Sequence, residues 1–191
     1  MDTTPSSNRP RGRVVFHSAR EYRVLSGAVA LCIGLLLLDQ ATKLLVERYF
    51  TLGRSLEIIP GFFSLTYVTN RGAAWGILTG HGWLLLLIAV VVAAAMLYFL
   101  RHLTEGWPER YYALFVVLSG VLGNSIDRIW RHAVVDFFDF YLANYHWPVF
   151  NIADCAITVG IAVYLISVLL RPAKKSAGEA SPAVAEHDEG A

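Results

Sequence analysis

The run from Val24 to Val46, VLSGAVALCIGLLLLDQATKLLV, is apolar through most of its length and is interrupted only near its end by Asp39, Gln40 and Lys43. A helix of about 20 largely apolar residues crosses the hydrocarbon core of a bilayer, so this run predicts a membrane span. Working outward, Gly82 to Leu100 predicts a second span. Tyr111 to Gly123 is short and reaches spanning length only if its helix continues through Asn124, Asp127 and Arg128. Val149 to Leu170 predicts a fourth, with Asn151 and Asp154 in its first turns. The whole-chain balance agrees, since 55% hydrophobic and 16% charged residues lie outside the globular norm.

Between the first two spans, Tyr49 to Tyr67 places Phe50, Leu52, Ile58, Ile59, Phe62, Phe63 and Leu65 among Gly53, Pro60 and Gly61. Apolar residues among turn formers suit short strands, and we read a small sheet on the outer surface that either cradles a lipid-linked substrate or packs at the interface. The expected architecture is an all-α polytopic membrane protein: four transmembrane helices, a small extracytoplasmic β-sheet over about residues 49–75, and an outer-side loop or half-helix. Residues 1–23 form a polar arm, 24–170 the membrane domain, and 171–191 a tail whose Ala, Glu, Ser and Gly content suits disorder. Arg9, Arg11, Arg13, Arg20 and Arg23 precede the first span, Arg101 and Arg110 separate the second from the third, and Arg171, Lys174 and Lys175 follow the fourth. That bias puts these segments and both termini in the cytoplasm. Asp39, Asn70, Asn124, Asp127, Asp136 and Asp154 then converge near the outer face, where costly ionisable groups mark a site.

Several chemistries are excluded. The basic residues cluster at chain ends and span boundaries and leave no nucleic-acid footprint. Cys32 and Cys155 each lie in an apolar run, so neither a disulfide nor a metal role is expected. His81, His102, His132 and His146 have no metal-ligand spacing, and no Gly-x-Ser-x-Gly is present. The first span has no small-residue cleavage pattern and is expected to stay as a signal anchor.

Two carboxyl groups sharing one proton can hydrolyse a peptide, one activating water and the other polarising the carbonyl. Asp154, in Phe150-Asn151-Ile152-Ala153-Asp154, is the best placed, at the poorly solvated start of a span. Asp136, in Val134-Val135-Asp136-Phe137-Phe138, is flanked by residues that would seat it in the interface, and Asp139 is an open alternative for the same part. Asp127, with Arg128 beside it and Arg131 one turn on, reads as a salt-bridged helix end. Asp39 and Lys43 stand i to i+4 and suit an ion pair that also shapes the site. Asn70, Asn124 and Asn151 suit either substrate binding or helix capping; Arg128 suits a phosphate, a backbone carbonyl or Asp127. A proton-coupled transporter and a noncatalytic lipid-binding scaffold are the competing classes.

Taken together, Asp39-Gln40-Ala41-Thr42-Lys43, Asn70-Arg71-Gly72-Ala73-Ala74-Trp75, Gly123-Asn124-Ser125-Ile126-Asp127-Arg128, Val134-Val135-Asp136-Phe137 and Phe150-Asn151-Ile152-Ala153-Asp154 resemble the bacterial lipoprotein signal peptidases, signal peptidase II. The resemblance implies an aspartyl endopeptidase of the bacterial inner membrane that cuts diacylglyceryl-modified prolipoproteins before the lipidated cysteine, as a monomer among phospholipids, with no metal or organic cofactor. It implies Asp136 and Asp154 as the catalytic pair and Asn70, Asn124, Arg128 and Asn151 as substrate-binding. Asp39, Lys43 and Gly72 would support the site, and Asp127 would be structural. Trp75 stands where the family commonly has Phe.

Overall fold

A computed structural model describes residues 19–72, 80–143 and 145–171. In chain order these form α1 (Ala19–Tyr49), β1 (Ser55–Ile59), β2 (Phe63–Asn70), α2 (Gly82–Tyr98), α3 (Leu100–Thr104), α4 (Pro108–Trp130), β3 (Val134–Leu142), β4 (Tyr145–His146) and α5 (Ile152–Leu170). Trp75, the arm before Ala19 and the tail after Arg171 lie outside the described residues.

α1 overruns its apolar run at both ends, with Glu21 in its first turn and Arg48 in its last, charges that suit the helix dipole. α4 begins at Pro108, whose fixed φ suits a first helical position, and continues through Asn124, Asp127 and Arg128 as its length demanded. α1, α4 and α5 are each long and apolar enough to cross a bilayer. α2 has 17 residues, about 26 Å of helix, and buries none of them completely.

α4 is the central element, packed on α1, α5 and α2. One core cluster, at the end of the bundle where α1 and α4 begin, joins Ala28 and Cys32 to Leu100, Tyr111, Leu114, Phe115 and Leu118, with Tyr164 of α5 against it. The other, at the opposite end, joins Val46 of α1 to Val135 and Phe137. There the antiparallel sheet β1-β2-β3-β4 lies over the last turns of α1 and α4 and the first turn of α5. Residues 130–147, read from sequence as a loop or half-helix, hold two strands instead. Val134–Leu142 is β-branched and aromatic along most of its length, and β2 supplies a partner for it.

Close helix approach needs missing side chains. A Cβ added to Gly120 of α4 would collide with the carbonyl oxygen of Ala153 and stand 2.7 Å from Ile157 Cγ1. Gly120→Ala is therefore expected to destabilise the fold by about 1–3 kcal/mol, the usual scale for overpacking, read as a lower Tm in detergent.

Candidate active site

The sheet end of the bundle gathers the charged and amide groups, and α1 supplies the first of them. Lys43 is fully buried, and its Nζ lies 2.9 Å from Asp39 Oδ2 and 2.8 Å from Asp127 Oδ2. The same ammonium donates to Asn124 Oδ1 at 3.2 Å. An ammonium can only donate, so the Asn124 amide must turn its oxygen toward Lys43 and its NH2 away. That NH2 donates to Asp154 Oδ1 at 2.8 Å.

Asn151 is oriented in the same way by helix capping. At the N-cap of α5 its Oδ1 accepts the Asp154 N–H at 2.9 Å, while Asp154 Oδ2 accepts the Asn151 N–H at 3.2 Å, a reciprocal capping box. The Asn151 NH2 is left to donate to Asp136 Oδ1 at 2.6 Å, with Asn124 Oδ1 at 3.2 Å. Asn70, at the end of β2, accepts from the Gly72 N–H at 2.9 Å and also hydrogen-bonds Asp136. Backbone bonds among Phe137, Phe138 and Phe150 fasten β3 to the residue before the cap.

Asp136 and Asp154 both line one cavity of about 550 Å³, together with Asn70, Gly72, Asn124 and Arg128. The remaining wall is mostly apolar, built from Trp147 to Phe150 and from Ile157 and Val159 of α5. The Arg128 guanidinium projects from the last turn of α4, donating to the Asn124 carbonyl at 3.0 Å and the Gly72 carbonyl at 3.1 Å. Burial, and then the charge of Asp154, raise the Asp136 carboxyl from 3.8 to about 7, against the opposing hydrogen bonds from Asn151 and Asn70 and the field of Lys43. A carboxyl poised there can hold a proton at neutral pH beside a second carboxyl, the state that water-activating acid–base chemistry requires.

Residues 31–170 match the family model described as signal peptidase (SPase) II. The chain belongs to the signal peptidase II family. It is 46% identical over 131 residues to a lipoprotein signal peptidase of Anoxybacillus flavithermus, covering 69% of this chain and 78% of that one. It is 39% identical over 158 residues to that of Geobacter sulfurreducens, covering 81% and 97%. A bacterial membrane enzyme solved by the in meso method superposes with a TM-score of 0.72 at 32% identity, covering 82% of this chain and 95% of that one.

Within this signal peptidase II fold every candidate side chain named from sequence reaches the sheet end, though not always with the partner expected. Asp39 and Lys43 do pair, and Asp127 does bridge Arg131 at 2.8 Å. Arg128 bonds backbone carbonyls and not Asp127. Asp139, three places from Asp136 on β3, points to the opposite sheet face by strand alternation, where it meets His146 Nδ1 at 2.9 Å and Thr66 Oγ1 at 2.9 Å. Gln40 was missed. Its NH2 lies near Asp39 Oδ2, Asp127 Oδ1 and the Gly123 carbonyl, and its oxygen accepts from Arg131. The available signals were its place in the Asp39–Lys43 motif and its position one helical turn before Lys43 on α1.

Because Asp136 is neutral in the folded protein up to about pH 7 but ionises near 3.8 when unfolded, its contribution to stability falls as pH rises between those values. Asp136→Asn keeps a neutral side chain at every pH. Its Tm is expected to match wild type near pH 4 and to exceed it increasingly up to pH 8; a gap that does not change with pH would show that Asp136 is not held protonated.

Proposed function

We propose that Asp136 and Asp154 are the catalytic pair with which this chain removes the signal peptide from diacylglyceryl-modified prolipoproteins. The observation that carries this is the placement of both carboxyls on one cavity, each accepting from an asparagine NH2 whose oxygen is already committed. Membership of the family supports the substrate class.

Asp154 acts as the base. It sits in the first turn of α5, where the helix dipole favours an anion, and it accepts two N–H groups. Asp136, raised to about 7, is the acid that hydrogen-bonds the scissile carbonyl. Water attacks that carbonyl as Asp154 takes its proton, giving a gem-diol whose second hydroxyl is formed with the Asp136 proton. Collapse returns a proton to Asp136, the C–N bond breaks, and Asp154 protonates the departing amine. The dyad is thereby restored and the new carboxyl and amine leave. Arg128, with Asn70 and Gly72, lines the polar wall and holds the substrate backbone or headgroup, while the apolar wall accepts its lipid-borne parts.

We further assign four crossings to the chain. Helical hydrogen bonds continue past Phe99, from its N–H to Ala95 and from Leu103 to its carbonyl, so α2 and α3 together make a second span of sufficient length. Both termini lie in the cytoplasm by the Lys and Arg bias, which puts the site at the outer leaflet among phospholipid headgroups. Both carboxyls line one cavity within a single chain, which supports a monomeric enzyme.

Purified protein incubated with lipidated and unlipidated precursor tests the reading. Cleavage of the lipidated form alone is expected, and no cleavage of either would favour a transporter or a scaffold. Asp136→Asn and Asp154→Asn are each expected to lower kcat by about 10³-fold or more. Turnover should also decline as pH rises through about 7, where Asp136 loses its proton. Arg128→Lys, which loses the planar fork, is expected to raise KM; an unaltered KM removes Arg128 from substrate binding.

A further inference from the structure

Lys43 joins two carboxylates that do more than neutralise it. Asp39 Oδ1 accepts the N–H of Ala153 at 2.9 Å, one residue before Asp154. Asp127 Oδ2 accepts the N–H of Val135 at 3.2 Å, one residue before Asp136. Each partner of the buried ammonium therefore grips the backbone beside one member of the dyad. The four groups in contact with the Asp127 carboxylate are all donors: Lys43 and Val135 on Oδ2, Arg131 and Gln40 on Oδ1. Arg131 is in turn fixed by Glu47 of α1 at 2.9 Å. Asp127 is completely buried and is absent from the cavity lining, so it touches nothing that reacts.

We infer that Asp127 is a positioning residue for hydrolysis: with Asp39 and Lys43 it forms a yoke that sets the separation of the two catalytic carboxyls by holding the Val135 and Ala153 amides. Through Lys43, β3 and the start of α5 are referred to one point on α1. A dyad sharing a proton tolerates little change in spacing, and a misplacement of about 1 Å from outside the chemistry can cost about 100-fold in rate. The inference rests on the catalytic assignment above.

Asp127→Asn is the test. An amide supplies one oxygen where the site presents donors on both sides, so its NH2 must face either Val135 and Lys43 or Arg131 and Gln40. Lys43 still keeps Asp39, which leaves its charge partnered. The expected result, on purified enzyme with lipidated precursor, is a fall in kcat of about 30- to 100-fold with KM within about twofold of wild type. Asp39→Asn, which loosens the Ala153 grip, should give the same split. A purely structural role would instead lower the Tm and the yield of folded enzyme and leave kcat per folded molecule unchanged, which would overturn the inference. A raised KM at unchanged kcat would overturn it as well, as would failure of both variants to fold, since the yoke would then be a folding element only. Asp136→Asn is run alongside: if it abolishes turnover while Asp127→Asn does not slow it, the yoke is wrong and the dyad stands. If Asp136→Asn itself turns over normally, the dyad assignment fails first.

Discussion

The buried ammonium of Lys43 is the interaction on which the rest of the site depends. Removing a charge from water costs several kcal/mol, and a lysine with no exposed surface is stable only where opposite charges and acceptors surround it. Asp39, Asp127 and Asn124 meet that demand, from α1 and α4. Once they do, little freedom remains. The donor-only ammonium fixes the sense of the Asn124 amide, while Asp39 Oδ1, which Lys43 leaves free, and Asp127 Oδ2, which Lys43 shares, accept backbone N–H groups of α5 and β3. A helix, a strand and a helix N-terminus are thereby tied together at the point where the fold would otherwise hold three separate ends.

This arrangement also separates two populations of carboxylate in a small volume. Asp39 and Asp127 meet cations directly. Asp136 and Asp154 meet asparagines, and the ammonium reaches Asp136 only through space. Neutral amides between the lysine and the proposed dyad would matter for the chemistry, because a cation in contact would favour loss of the proton that the proposed mechanism needs. Asn124 and Asn151 thus serve as spacers as well as donors. Their roles follow from the number of acceptors each has already committed.

The helices were legible because their signal is local. Apolar length set α1, α4 and α5, and the demand that a short third run extend through its polar end was met by α4. β1 and β2 were legible for the same reason, from apolar residues between turn formers. β3 was not, since Val134–Leu142 reads as interfacial loop until β2 is known to lie beside it. At the site, the i to i+4 pairs Asp39–Lys43 and Asp127–Arg131 could be read from helical spacing alone. The contact between Lys43 and Asp127 could not, because it joins residues 84 positions apart through the packing of α1 on α4. The choice between Asp136 and Asp139 was open for a related reason. Alternation assigns them to opposite faces, but which face meets α4 and α5 is decided by sheet pairing and by the Phe150 bridge.

That bridge also bears on how the proposed hydrolytic centre would meet a lipid boundary. Phe150 belongs to the apolar wall of the cavity, while its neighbour Asn151 is fully buried in the polar network. Within about one and a half further turns α5 passes from Asp154 to Ile157 and Val159, which face the same cavity as apolar side chains. Polar and apolar walls are therefore presented by consecutive turns of one helix, held in register by a capping box. A peptide whose reactive bond adjoins a lipid-bearing residue needs both walls at about that spacing. Neither wall can shift alone, because the residues that fix Asp154 in the cap are the same residues that start the helix.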